Sequence, residues 1–375
     1  MMNRNILAVV IPALLAAGAA NAAEIYNKDG NKLNLTGKID GLHYFSKDNT
    51  GNNSGDQTYV RLGFLGETKI TNDLTGFGRF ETQFNSSSAE DTNGSKGNTR
   101  YAYAGLKFGD FGSIDYGRNR NVSYDGISYT DVLPEWGGDS SYTDGFTGRS
   151  AGVANYRNKN FFGLVDGLNF GLSYQSAHND SNSAKKNTGA GYALSTSYTS
   201  PIGVGVTGSY GHFNRANKNT NLPAQANDGR GTDGEMWATG LKYDANSIYV
   251  AATYGEYRNM TYINSYKFNL GASQMTSSNA FDKTKVFEAV AQYSFDFGLK
   301  PSIAYVSAKA ENDTAGTTMA NTSGYLDKYV SLGLTYTFNK NFSTYTEYDI
   351  NLLNADNTYK QATNDRVAVG VVYQF

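Results

Sequence analysis

Residues 366–375 read Arg366-Val367-Ala368-Val369-Gly370-Val371-Val372-Tyr373-Gln374-Phe375. Val367, Val369, Val371, Tyr373 and Phe375 fall on one face, and the small or polar residues between them fall on the other. Side chains alternate across a strand, so this is a strand with an apolar face that ends in aromatics. A last strand of this kind can pair with the first one and close a sheet into a barrel, which removes the exposed edges of an open sheet.

The same period of two recurs upstream. In 59–70, Val60, Leu62, Phe64 and Ile70 oppose Tyr59, Arg61, Glu67 and Lys69. In 77–84, Phe80 and Phe84 oppose Arg79, Glu81 and Gln83. In 288–297, Ala289, Ala291, Tyr293, Phe295 and Phe297 oppose Glu288, Gln292, Ser294 and Asp296. Val330, Leu332, Leu334, Tyr336 and Phe338 oppose Ser331, Gly333, Thr335 and Thr337, and in 342–350 Phe342, Tyr348 and Ile350 oppose Ser343, Glu347 and Asp349. A half-buried sheet of a soluble sandwich alternates in the same way. Three features favour a membrane barrel. The polar face carries full charges, the apolar face ends in Tyr or Phe as interfacial girdles require, and connections alternate between short and long. Short ones include 338–341 and 243–246. Long ones include 46–58, 85–99, 177–189, 214–233, 310–326 and 353–364, all rich in Asn, Ser, Thr, Gly, Asp and Lys.

Composition agrees. The 375 residues include 42 Gly, 29 Tyr and 20 Phe but only 5 Pro and no Cys, and only 39% are apolar. A soluble chain of this size normally carries more Leu, Ile and Val. Near-balanced charge points away from nucleic acid. Met1 to Asn5 is a short polar start with one cation, Ile6–Ala20 is apolar, and Ala20-Asn21-Ala22 is a small-x-small site. This pattern predicts a signal peptide over 1–22, cleaved before Ala23, since the apolar run is too short to span a membrane. The remaining residues, 23–375, read as one barrel domain. Removing Arg4, the sole charge in 1–22, takes the formal charge from −2 to −3. At about 9–11 residues per spanning strand plus connections, this length divides into roughly 16 strands, a size that keeps an aqueous channel.

Two short motifs point elsewhere. Gly203-Val204-Gly205-Val206-Thr207-Gly208 has dinucleotide-binding spacing but follows Pro201 and alternates like a strand, with no helix behind it. Gly148-Arg149-Ser150-Ala151-Gly152 has the spacing of an esterase nucleophile elbow, which needs a strand-to-helix turn and a histidine in reach. His43, His178 and His212 lie in no triad setting, and they have no metal-ligand spacing. The reading is therefore not an enzyme, with no cofactor and no metal. A barrel enzyme, a sugar-specific pore and a plugged, adhesin-like barrel remain as alternatives.

Several long runs carry a resemblance. They are Ala23-Glu24-Ile25-Tyr26-Asn27-Lys28-Asp29-Gly30-Asn31-Lys32, Gly41-Leu42-His43-Tyr44-Phe45, Ala104-Gly105-Leu106-Lys107-Phe108 and Asp115-Tyr116-Gly117-Arg118-Asn119. Further on are Asn160-Phe161-Phe162-Gly163-Leu164-Val165-Asp166-Gly167-Leu168, Trp237-Ala238-Thr239-Gly240-Leu241-Lys242-Tyr243-Asp244 and the ending Val371-Val372-Tyr373-Gln374-Phe375. In these the chain resembles the trimeric general porins of enteric bacteria, the OmpF/OmpC type. The resemblance implies an all-β, 16-stranded antiparallel transmembrane barrel with short periplasmic turns, long extracellular loops and an inward-folded third loop. It implies a homotrimer in the outer membrane, in contact with lipid and lipopolysaccharide. Assembly machinery is expected to act through the C-terminal strand with Tyr373 and Phe375. The implied function is passive diffusion of small hydrophilic solutes and ions.

The family's third loop carries Pro-Glu-Phe-Gly-Gly-Asp, which here reads Pro134-Glu135-Trp136-Gly137-Gly138-Asp139. The resemblance sets wall cations, here Lys38, Arg61, Arg100 and Arg149, against loop carboxylates, here Asp131 and Glu135. Opposed charges across a narrow gap orient water and disfavour apolar solutes. Phosphate-favouring members carry an extra lysine where Gly148 stands, and the charge of 23–375 is slightly negative, so weak cation preference is expected. The second loop latches onto a neighbouring subunit in that family, which points to Glu90 or Asp91.

Overall fold

The computed structural model describes residues 23–47, 54–88, 97–137, 146–177, 189–215, 232–261, 281–313 and 321–375, with the backbone of 266–270 and 273–277. Sixteen strands form one closed antiparallel ring. In chain order they are β1 (Asn31–Ser46), β2 (Tyr59–Lys69), β3 (Thr75–Asn85), β4 (Asn98–Lys107), β5 (Ser113–Arg120), β6 (Arg149–Asn158), β7 (Leu168–Gln175) and β8 (Gly191–Thr199). They continue as β9 (Val204–Asn214), β10 (Asp233–Ala245), β11 (Ile248–Arg258), β12 (Lys283–Tyr293), β13 (Leu299–Asn312), β14 (Thr322–Asn339), β15 (Phe342–Asn351) and β16 (Arg366–Gln374). Each pairs with the next, and β16 pairs with β1 from Lys38↔Gln374 to Ser46↔Arg366. Two-residue pairing at Gly55–Asp56 adds to the top of β1, and a small hairpin, Tyr266–Leu270 with Ser273–Ser277, sits in the connection after β11.

The closing strand shows why the alternation was informative. Val369, Val371 and Tyr373 are 40–47% exposed and point outward, whereas Ala368 and Val372 are buried inward. Bilayer hydrocarbon satisfies the outward set, and the closed ring satisfies every interior strand's backbone groups. The N-terminal segment Ala23–Lys28 pairs with Asn31–Leu35 of β1, so it continues the line of β16 along the same strand. Phe375 completes the seam, its N–H donating to Gly37 O at 3.0 Å and Gly37 N–H donating to Phe375 O at 2.9 Å.

Short turns gather at one rim. Asp29-Gly30 and Asn246-Ser247 both hold positive φ at two successive residues, the geometry of two-residue hairpins matched to strand twist. The Asn339 side chain accepts the N–H groups of Asn341 and Phe342 at 2.9 and 3.0 Å, which fixes another turn. The turn 159–167 contains one tight coil, Asn160–Gly163, whose first three residues are left-handed. Both misleading motifs lie in strands. Val204 begins β9 with no helix behind it, and Ser150 is a buried residue of β6 that accepts from Gln175 Nε2 at 3.2 Å.

Candidate functional site: a charged passage between loop 3 and the wall

The connection from β5 to β6 (121–148, loop 3) enters the lumen over its described residues 121–137. Asn121 caps a short 3-10 helix, Val122–Gly126, by accepting from Ser123 N–H. The wall holds this start of the loop from several strands. Ser173 of β7 accepts Val122 N–H at 2.9 Å, Ser209 of β9 donates to Ser123 O at 2.7 Å, and Thr207 donates to Asp125 O at 3.2 Å. Asp125 takes a two-pronged contact from Arg157 of β6 at 2.8 and 3.2 Å and a hydroxyl from Ser195 of β8 at 2.7 Å. Planar Arg–carboxylate pairing of this kind fixes orientation as well as distance.

The middle of the loop crosses to the far wall. Thr130 donates to Glu288 of β12 at 2.6 Å, Tyr249 of β11 donates to Tyr129 O at 2.6 Å, and Gln292 of β12 donates to Val132 O at 2.9 Å. Buried polar groups in such a place must be satisfied, and each of these bonds contributes about 0.5–1.5 kcal/mol. At the tip, Glu347 of β15 accepts the N–H groups of Glu135 and Trp136 at 2.7 and 3.3 Å, and its other oxygen accepts from Ser331 at 2.6 Å.

The wall cations stand on β1, β2, β4 and β6. Lys38 and Arg61 are register partners, as are Arg61 and Gln83. Lys38 pairs with Asp40 at 2.9 Å, and Arg61 donates through Nε to Gln83 at 2.8 Å. Glu81 of β3 lies between two arginines, bonding Arg100 at 2.6 Å and Arg79 at 2.8 Å. Arg61 and Arg149 both lie within Coulombic reach of Arg100. Aromatic planes support these charges. Lys38 and Arg61 both approach the Tyr59 ring, Arg79 lies 4.0 Å from the Tyr101 centroid, and Arg149 lies 5.7 Å from it. Among the described residues, Arg61 and Arg149 have no carboxylate partner.

Both loop carboxylates that the motif singled out face the wall or its neighbours. Glu135 accepts from Tyr44 and, at 2.8 Å, from Tyr345, and it acts electrostatically on Lys38. Asp131 accepts from Tyr124 and lies 3.6 Å from Arg120, a cation absent from the expected set. Arg120 also stacks on the Tyr124 ring at 3.6 Å. Burial and the Asp131 carboxylate push the Tyr124 phenol well above its ordinary value, so it stays a neutral donor. Pro134, Trp136 and Gly137 belong to the described tip, whereas Gly138 and Asp139 lie outside the described residues, as do Glu90 and Asp91. Sequence reasoning did not identify Arg120, Asp125, Arg157, Glu347 or Arg366. Of these, only Glu347 stood on a face that the alternation marked as polar, and Asp125 lies on the loop itself.

A family model described as Gram-negative porin matches residues 28–375. The chain is 52% identical to outer membrane porin F of Escherichia coli K12 over 381 residues, and 53% identical to outer membrane protein F of Serratia marcescens over 386 residues. Each alignment covers all of both chains. Among solved structures, Salmonella typhi OmpF in complex with daunomycin superposes with a TM-score of 0.80 at 43% identity, covering 94% of this chain and 100% of that one. The closed ring of sixteen strands, the charged passage and these matches lead to one conclusion: the chain belongs to the Gram-negative porins, the outer-membrane β-barrels that serve as diffusion pores rather than enzymes.

Proposed function

We propose that the chain is an unspecialised pore for small hydrophilic solutes and ions whose narrowest point lies between loop 3 and the wall of β1–β6. The observation that carries this reading is the convergence of Lys38, Arg61, Arg100 and Arg149 on one side with Asp131 and Glu135 on a loop tied across the lumen. Opposed fixed charges orient water in the gap, so a polar solute passes by aligning with the field and an apolar one is disfavoured. Selectivity between ions is weak on this reading. Lys38 is matched by Asp40, Arg79 and Arg100 share Glu81, and Arg366 is matched by Asp349. The net charge of −3 for 23–375 and Gly148 in place of a lysine tip the balance toward cations.

The pore works as a homotrimer in contact with lipid and lipopolysaccharide, and reaches the outer membrane after a signal peptide over 1–22 is removed. Assembly machinery engages the C-terminal strand at Tyr373 and Phe375. Glu90 or Asp91 pairs with a basic residue of the neighbouring subunit, so replacing both with Ala lowers the temperature at which trimers dissociate on a gel. Planar-bilayer recording in a KCl gradient tests the main reading. Large conductance closing in three equal steps, with a small reversal potential of cationic sign, is expected. Well-folded barrels that carry no current would mean a plugged lumen, and saturable flux of one sugar would mean a dedicated sugar pore.

A further inference from the structure

Arg366 faces the lumen at the start of β16, but it does not extend into the water as a free cation. Its Nε and Nη2 donate to Asp349 Oδ2 at 2.9 and 2.8 Å, and the two residues are register partners on β16 and β15. The guanidinium carbon lies 4.3 Å from the Trp136 ring centroid and 5.2 Å from that of Tyr329 on β14. Three adjacent strands therefore orient one planar cation, and the face it presents carries the tip of loop 3. Trp136 also packs against Tyr44 at 5.0 Å, next to the buried cluster of Leu42, Tyr59, Tyr345, Ala368 and Val372.

Glu347 and Asp349 stand two residues apart on β15, on the same inward face, and divide the work. Glu347 receives the tip's backbone N–H groups, and Asp349 aims the arginine at the tip's indole. A lysine cannot do both parts of this, because only the planar fork bonds a carboxylate edge-on while stacking on an aromatic face. Indole is the strongest of the aromatic partners for a cation.

We propose that Arg366 is a positioning residue that fixes the tip of loop 3 through Trp136, and with it the cross-section of the passage. The inference rests on loop 3 being the constriction. Arg366 acts through Trp136, and its own charge is matched by Asp349.

Two measurements test it on the full-length protein, with heat-modified mobility on a gel as the check that each variant is folded. The first is optical and needs no current. The chain has two tryptophans, Trp136 and Trp237, so a Trp237→Phe background leaves Trp136 as the single indole. Arg366→Ala in that background should raise acrylamide quenching of Trp136 at least about twofold. The second is electrical. Arg366→Ala should change single-channel conductance and raise the frequency of spontaneous closures about tenfold, the equivalent of roughly 1.4 kcal/mol, within the range for a desolvated cation–π contact. Arg366→Lys should fall between the two. Trp136→Phe should act in the same direction, and its effect should not add to that of Arg366→Ala. Unchanged quenching in folded Arg366→Ala barrels overturns the inference, whether or not the barrels conduct. Full restoration by Arg366→Lys also overturns it, since charge alone would then suffice. A changed quenching signal with no wild-type current would leave the positioning role standing and sink the pore reading instead.

Discussion

Lys38 and Arg61 face each other across the β1–β2 pair and share a single aromatic ring. The Lys38 ammonium lies 4.8 Å and the Arg61 guanidinium 4.7 Å from the centroid of Tyr59. Two like charges side by side repel, and here the ring, Asp40 and Gln83 hold them in place. Among the described residues Lys38 has a carboxylate partner and Arg61 does not, so the two differ in what they contribute to the field of the passage.

Arg61→Ala should therefore shift selectivity more than Lys38→Ala. A unit charge at about 4 Å in a water-like medium acts with about 1 kcal/mol. Removing Arg61 should raise the cation-to-anion permeability ratio by roughly two- to fivefold on that scale. The reversal potential in a KCl gradient reads this directly, and equal shifts for the two variants would show that the Asp40 pairing does not matter.

Asp125 is the pivot of loop 3 at its near end. Asp125→Ala leaves the Arg157 guanidinium and the Ser195 hydroxyl without their acceptor. The expected cost is about 1–3 kcal/mol in barrel stability, with Asp125→Asn milder. The midpoint of urea unfolding in detergent micelles measures it. A midpoint that does not move would mean the loop is held by its other bonds alone.

At the seam, a Cβ added at Gly37 would sit 2.8 Å from Arg61 O and 2.8 Å from the Phe375 ring. The backbone atom cannot yield, so Gly37→Val should push β1, β2 and the chain's last residue apart, at about 1–3 kcal/mol. The yield of heat-resistant folded barrel should fall, and removal of Phe375 should lower it as well, because both hydrogen bonds to Gly37 are lost. Wild-type yields from both variants would rule out the seam as a sensitive point of assembly.

The proposed cleavage after Ala22 makes a simple forecast. Protein recovered from outer membranes should begin Ala23-Glu24-Ile25, and its mass should be that of residues 23–375. Sequencing that starts at Met1 would show that 1–22 is retained.

The barrel was legible because its constraint is local. Each strand must offer alternate residues to hydrocarbon, so Val369, Val371 and Tyr373, or Leu332 and Leu334, declare their faces without reference to any other strand. Loop 3 was legible as a motif but not as a network. Glu347 lies 212 residues from Glu135 in sequence, and Glu288 lies 158 from Thr130. Such pairs depend on which strand a loop reaches after crossing the lumen, and alternation carries no information about that. Many inward charges look alike in the sequence, so nothing there separated Arg120 and Arg366, which touch the loop, from cations that do not. The pairing of Arg79 and Arg100 on one glutamate likewise depends on register between β3 and β4.

The bonds that place loop 3 also have a mechanical side. The loop leaves the wall between β5 and β6 and is fastened to β7, β8 and β9, then to β11 and β12, and last to β15 and β16. A closed sheet without such a crosspiece can ovalise under lateral pressure by small changes of strand twist. Here any flattening along the line of the loop must stretch or compress its fastenings. The segment proposed to narrow the passage would thus also be a strut that keeps the tube round, and the bore should hold its size as the thickness and tension of the surrounding bilayer vary.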